Sequence, residues 1–492
     1  MHQENSESVN NFLKSPLQHF IDGVYCDSIE SGSGIVVNPA TGNKIADVAY
    51  GTSKDVDSAV RAAERAFTVW GGMDPEERAV LIHRFADKLE SEAHNIAQLE
   101  SLDVGRPLAA SQDGIFFGIE CARYFADIAK NAEYNRSLTL NNMEARVNRT
   151  PYGVCGFIFP WNFPYLLFMW NIMPAIAAGN TVVVKPSEIT PISSLYLCQI
   201  AREAGIPDGV INVVVGDGET VGNAIVEHPL IKRIAFTGST KIGKMIAEKC
   251  GSRPIPCKLE LGGKGAAVVF DDCDLEKAAK ELAGAITFNT GQVCCTATRW
   301  FVHEDIYESF KEKAISTLQS LKIGPGMTAG IEMGPLVSKA HQERVLDYYQ
   351  KGEAGGANIL LAGGKLTDNG KEGGFFVSPC LMEGDTNNIC YQEEVFGPTA
   401  YLIKFTDENE VIEKVNSLQY GLANSVWSSN EERCQRVAEK MVSGNSWINA
   451  HNVFAYGLPY AGVNLSGVGG GVNSAETFYD YLRGLTIAKP LC

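Results

Sequence analysis

Apolar positions recur at helical spacing through residues 55–100, with Val60, Ala63, Ala66 and Phe67 on one stripe and Leu81, Phe85 and Leu89 on another. Asp74, Pro75 and Glu76 lie between the stripes and form a helix start signal. A further helical run passes through Tyr124 and Ile128, and the polar stretch at residues 137–149 reads as strands. From residue 181 the pattern changes. Residues 181–184 make a β-branched strand, and Leu197, Ile200, Ala201 and Ala204 then share a helical face ended by Gly205 and Pro207. Residues 211–215 are a second strand, followed by Gly216, Gly218, Gly222 and a short helix through Ile225 to Glu227. Residues 233–236 are a third, running straight into Thr237-Gly238-Ser239. Strands alternating with helices specify a parallel sheet with crossover helices. A second α/β region spans residues 261–462, with strands predicted at 266–270, 299–303 and 400–405. Residues 481–487 read as a terminal edge strand able to pair with another subunit.

Residues 150–184 carry no charge, which is longer than the ~20 residues a spanning helix needs. Pro160, Pro164 and Pro174, with Asn162, Asn171 and Asn180, interrupt the run, so a buried strand, a loop and a buried helix fit it better. The chain has 492 residues and a net charge of -16, which suits two or three domains and disfavours nucleic acid or anionic membrane as partners. Partners are expected to be small molecules and further copies of the chain. Thirteen scattered cysteines, without a CxxC pair, fit a reduced compartment. The polar, acidic N-terminus has no leader pattern, so a cytoplasmic location is expected. With no HExxH and no histidine cluster, no metal is expected.

The candidate chemistry sits at strand ends and small turns. Gly238-Ser239-Thr240-Lys241-Ile242-Gly243 follows a strand and opens a helix, a junction suited to a pyrophosphate. Lys185-Pro186-Ser187-Glu188 ends another strand of that sheet; its lysine reaches toward ribose hydroxyls, and its glutamate would repel a 2′-phosphate, favouring NAD over NADP. Asn289-Thr290-Gly291-Gln292-Val293-Cys294-Cys295 places two thiols after a small turn. Only roughly 3% of an unperturbed thiol is ionised at neutral pH, so a nucleophile there needs help from dipoles or a base. Glu260 stands before Gly262-Gly263-Lys264, where backbone can approach a ligand closely, and Asn162 in Pro160-Trp161-Asn162-Phe163-Pro164 can donate to a developing oxyanion.

In order along the chain, Pro-Trp-Asn-Phe-Pro, Lys-Pro-Ser-Glu, Phe-Thr-Gly-Ser, Glu-Leu-Gly-Gly-Lys, Gly-Gln-Val-Cys and Glu-Glu-Val-Phe-Gly-Pro (residues 393–398) resemble the aldehyde dehydrogenase superfamily. The likeness runs from about residue 20 to 487. It implies an α/β, aldehyde dehydrogenase-like fold: a Rossmann-like NAD-binding domain (1–134 and 152–260), an α/β catalytic domain (261–462) and a small β oligomerisation extension (135–151 and 463–492). It also implies NAD-dependent oxidation of an aldehyde to an acid, with Cys294 as nucleophile, Glu260 as general base and Asn162 as oxyanion donor. Lys185 and Glu188 match ribose-contacting positions, and Trp161, Gly218, Gly222, Phe236 and Ser239 match those around adenosine and pyrophosphate. Glu394 and Phe396 match those at the nicotinamide, while Ile158, Ser187, Ile242 and Leu261 complete the cofactor set. A homodimer or homotetramer is implied.

The substrate is less sharply marked. Phe163, Trp170, Phe288 and Tyr460 are expected around the aldehyde entry, a set that suits a quaternary ammonium or an alkyl or aromatic chain. The sequence around Cys294 resembles the betaine- and amino-aldehyde branch. Asp113 is followed by Gly114, Phe116 and Phe117, however, so a free amine would lack counter-charges. Betaine aldehyde or a bulky apolar aldehyde is therefore expected. Gly470-Gly471 stands where the family commonly has Arg-Glu, which bears on subunit packing or the substrate tunnel. Rival readings are a CoA-acylating enzyme, which usually lacks the base glutamate, and a catalytically silent structural protein of the same fold.

Overall fold

The computed structural model describes residues 3–30 and 32–491. The helix start signal works as read. Pro75–Ser91 opens with Pro75 in its first turn and the Asp74 side chain accepting from the Glu76 N–H, and Ser53–Trp70 before it opens on a Thr52/Asp55 capping box. The uncharged run becomes the buried strand Val154–Ile158, a loop, the helix Pro164–Ala177 and the strand Thr181–Lys185. That 14-residue helix is only ~21 Å long, and no helix of the described residues is long and apolar enough to cross a membrane.

Two large sheets organise the molecule. The first runs Val24–Cys26, His19–Ile21, Ile211–Val213, Thr181–Lys185, Val154–Ile158, Arg233–Thr237, Cys257–Glu260 and Gly467–Val468. Its five central strands are parallel, with antiparallel strands at both edges. Chain order reverses between Val154–Ile158 and Arg233–Thr237, which are direct neighbours. A doubly wound sheet opens a crevice at such a switch point, at the carboxyl ends of the strands. The loops leaving these two ends carry Trp161-Asn162 and Gly238-Ser239.

The second sheet runs Asn358–Leu361, Cys380–Glu383, Thr399–Phe405, Ala297–His303, Gly265–Val269, Ala423–Trp427 and Asn445–Ile448. All its pairs are parallel except the first. Only residues 261–264 separate the last central strand of one sheet from the first strand of the other, so Glu260 stands at their junction. A third, three-stranded sheet pairs Leu482–Pro490 with Met143–Pro151 and that strand with Asn135–Leu140. The C-terminal segment thus divides: Gly467–Val468 extends the first sheet and Leu482–Pro490 the third. One local element differs from expectation, since Gly218–Gly222 coils as a wide π turn leading into the helix Asn223–Glu227.

Candidate active site

The turn before Cys294 is the most constrained backbone in the site. Asn289, Thr290 and Gly291 all have positive φ, at 48°, 58° and 72°. A β-branched residue in that region is costly, and here hydrogen bonds enforce it. The Thr290 hydroxyl donates to the carbonyls of Gly334 (3.0 Å) and Pro335 (3.2 Å). The Gln292 side chain donates to Asn289 O and accepts from the Val337 N–H. Gly291 is required for contact as well as for φ, because a Cβ there would lie 2.2 Å from the Gly397 carbonyl carbon. This packing brings the residue 393–398 motif against the cysteine turn.

Asn162 is held beside that turn. Its side-chain amide donates to Gln292 O (3.1 Å), which leaves a second N–H free, and its own carbonyl accepts from Asn289 Nδ2 (2.9 Å) and Arg106 Nη2 (3.1 Å). Arg106 is buried and paired with buried Glu100 (3.3 Å), which also accepts from the Tyr165 N–H and the Ser193 hydroxyl. Sequence reading missed Arg106 and Glu100. Glu100 lies in the helix Ala93–Val104 and Arg106 in the short link that follows it, and a charge pair six residues apart carries no local signal.

Glu260 ends its strand with its backbone fixed by the neighbouring strands, and one carboxylate oxygen, Oε2, has no hydrogen-bond partner. Burial pushes its carboxyl up to about 8; Lys258 opposes this and Cys294 adds to it. Lys258 lies two residues earlier, hence on the same face of the strand, fully buried with its ammonium donating to Gly471 O (3.2 Å). Burial in turn lowers Lys258 to about 8. The glycine tract leaves it room, since a Cβ on Gly469 would crowd its side chain at 3.1 Å. Gly471 therefore adjoins the lysine beside the candidate base, nearer to the chemistry than the sequence suggested, while Gly470 donates its N–H to Asp480 at 2.8 Å.

One cavity of about 580 Å³ gathers the site. It is lined by Asn162, Glu260 and Cys294, by the cofactor candidates Trp161, Ser239, Leu261, Glu394 and Phe396, and by all four aromatic candidates, Phe163, Trp170, Phe288 and Tyr460. Phe117, named with Asp113 in the sequence reading, also lines it, as do Leu166, Leu167 and Phe454, which were not foreseen as pocket walls. Asp113 and Gly114 reach it, whereas Phe116 is exposed elsewhere. Ile158, Lys185, Ser187, Glu188, Gly218, Gly222, Phe236 and Ile242 lie outside this cavity, on or near the carboxyl edge of the first sheet. Lys185 pairs there with Glu188 at 3.1 Å, and Ser239 caps the helix Thr240–Ser252.

At the cavity's other end Glu394 accepts from the Gly263 N–H (3.1 Å), and its second oxygen would collide with any Cβ on Gly262. Burial pushes Glu394 up to about 7. Trp161 and His341 each meet Phe396 edge to face, and His341 Nε2 bonds Phe396 O at 2.8 Å. A thiol, a buried carboxyl and an amide N–H thus converge on one apolar chamber that leads to a sheet crevice. That set can form an acyl-sulfur bond and then hydrolyse it.

The family model described as the aldehyde dehydrogenase family matches residues 27–487. A phenylacetaldehyde dehydrogenase from Pseudomonas fluorescens is 38% identical over 97% of both chains. Among solved structures, an NAD+ complex of aldehyde dehydrogenase from Bacillus cereus is 36% identical, with a TM-score of 0.97 and full coverage of both chains. Betaine aldehyde dehydrogenase from Staphylococcus aureus, in complex with NAD+, is 32% identical with a TM-score of 0.95, covering 98% of this chain and 97% of that one.

Proposed function

The chain belongs to the aldehyde dehydrogenase family, and on that premise we propose that it oxidises a bulky apolar or aromatic aldehyde to its carboxylic acid through a thioester on Cys294, with NAD as cofactor. The observation that carries the reading is the meeting of Cys294, Asn162 and Glu260 in one aromatic-walled cavity.

The cofactor fits what is present. Glu394 offers a free carboxylate oxygen beside a glycine that tolerates no side chain, Gly218 faces open space, and Ser239 opens a helix at the switch point. Phe396 would flank the nicotinamide end, Trp161 the adenosine and pyrophosphate side, and Lys185 with Glu188 the adenosine ribose. NAD, when bound, supplies the hydride acceptor. The protein does the rest. Ionised Cys294 attacks the aldehyde carbon, and the oxyanion so formed accepts from the free Asn162 N–H and from the Cys294 backbone N–H. Once hydride has left, the carbonyl carbon stays bound to sulfur as a thioester. Glu260 then takes a proton from water, which displaces the thiolate and frees the acid.

The cavity wall favours an uncharged side chain on the substrate. The Arg106 guanidinium already covers one face of Phe163 at 4.3 Å, so a quaternary ammonium would meet a cation there. The resemblance to phenylacetaldehyde dehydrogenase supports an arylacetaldehyde. Phenylacetaldehyde, an aliphatic aldehyde and betaine aldehyde, compared by NADH absorbance, test this; preference for betaine aldehyde would reverse the assignment. Cys294→Ala should abolish turnover while NAD still binds. Glu260→Gln should give an NADH burst followed by a slow phase, and undiminished steady turnover would count against its role. Acyl-CoA formation on adding CoA would favour the acylating alternative. The scattered free thiols support a cytoplasmic location. The exposed strand Leu482–Pro490 supports assembly as a dimer or tetramer.

A further inference from the structure

Tyr460 was expected to be wall, yet its hydroxyl does not point at wall. It lies 3.4 Å from Cys294 Sγ and is also within hydrogen-bonding reach of the adjacent Cys295 thiol. The ring is rigidly placed. Its backbone exchanges two hydrogen bonds with Val472, at 3.0 and 2.8 Å, and its ring packs between Trp170 and Phe454. A phenylalanine would fill the same volume, so the hydroxyl calls for its own explanation.

We propose that Tyr460 is a catalytic residue whose hydroxyl donates a hydrogen bond to the Cys294 sulfur and so holds the nucleophile in its ionised form. The proposal rests on Cys294 being the nucleophile. Against a neutral thiol, either atom can donate. A thiolate has no proton, so only the tyrosine can, and a hydrogen bond to an anion is roughly twice as strong as a neutral one. The contact therefore favours ionisation. Nothing else lining the nucleophile does so as directly. The neighbouring Cys295 thiol and burial hold Cys294 well above its ordinary range, Glu394 adds to the effect, and the Tyr460 hydroxyl opposes them. Glu260 also faces the sulfur with a carboxyl that is anionic at high pH. The nearest cationic groups lining the cavity, Arg106 and Arg344, are engaged with Glu100 and with the Glu394 carbonyl. Cys295 is turned partly aside, toward Asn452 Oδ1 at 3.4 Å. Tyr460 keeps its own proton throughout, because burial drives its ionisation far upward. The proton lost by the thiol goes to solvent through the cavity.

Tyr460→Phe removes one oxygen and keeps the ring. The test is the pH dependence of Cys294 alkylation by iodoacetamide, localised to that residue by fragment-ion mass spectrometry, in the wild type and in the variant. The alkylation midpoint should move up by about one pH unit, making the reaction roughly tenfold slower near neutrality. The kcat/KM for aldehyde should fall with it and recover toward wild type as pH rises. Superimposable alkylation profiles, with any change confined to KM, would overturn the proposal and leave Tyr460 as a pocket wall. Cys294→Ala run alongside separates the two claims: turnover surviving in it would remove the nucleophile itself, whereas an inactive Cys294→Ala with an unshifted Tyr460→Phe would remove only the tyrosine's role.

Discussion

At the scale of single residues, Glu260, the proposed base, is the group whose charge state sets the expected pH dependence. A carboxyl can take a proton from water only when ionised. Burial pushes Glu260 up to about 8, so its competent fraction grows as pH rises toward that value and levels off above it. Where hydrolysis limits turnover, kcat should climb along a limb near 8. Lys258 is the cation that opposes burial at Glu260. Lys258→Met keeps the length of the side chain and removes the charge, so the limb should move further up. A rate–pH series on both proteins checks this. A limb in the ordinary carboxylate range that ignores the substitution would contradict the assignment. Burial lowers Lys258 itself to about 8. Its support for the ionised base therefore weakens in the same range where the base is filling, which should make the limb shallower than a single titration.

At the scale of elements, the turn ahead of Cys294 shows which features a sequence carries and which it hides. Periodicity, proline and capping residues were enough to place the start of Pro75–Ser91, the strands Thr181–Lys185 and Arg233–Thr237, and three of the second sheet's seven strands, Gly265–Val269, Ala297–His303 and Thr399–Phe405, to within a residue or two. These signals are local, so they survive in a linear string. Three consecutive left-handed residues at 289–291 do not, because Asn and Thr report no φ of their own, and the bonds that hold them come from residues 334–337. The same holds for the Glu100–Arg106 pair, and for the Tyr460 hydroxyl, whose partner lies 166 positions away. Gly291 measures how much the turn depends on close contact. Gly291→Ala places a methyl against Gly397 at a φ of 72°, and should cost ~1–3 kcal/mol and displace the nucleophile loop. Gly284→Ala is the contrast. That glycine lies inside the helix Leu275–Thr287 with nothing within 4 Å, so alanine should add about 0.4–1 kcal/mol. Urea midpoints of the two variants should move in opposite directions; a shared direction would mean the turn is not under the constraint described.

At the scale of the whole molecule, the two large sheets meet at Glu260 and account for the site, but the third sheet takes no part in it. Leu482–Pro490 pairs with Met143–Pro151 along one edge and with no described strand along the other. Nine residues of open edge are a template for pairing, and natural edges of that length are usually covered, charged or bent away. This edge has a charge near each end, Arg483 and Lys489, and between them on the same face carries Leu485 and Ile487, 52% and 40% exposed. Leu140 and Leu491, near the same sheet, are also exposed. Apolar side chains beside an unused row of backbone donors and acceptors are best accounted for by a second copy of the chain. Light scattering should therefore give a mass of two or four chains. Leu485→Lys with Ile487→Lys places charge on that face while leaving the internal pairing with Met143–Pro151 intact. The variant should lose assembly with its far-ultraviolet spectrum unchanged, and it should keep alkylation of Cys294 by iodoacetamide, since no residue of this strand lines the cavity. A wild type already at single-chain mass, or a double variant that still assembles, would show that this face does not join subunits.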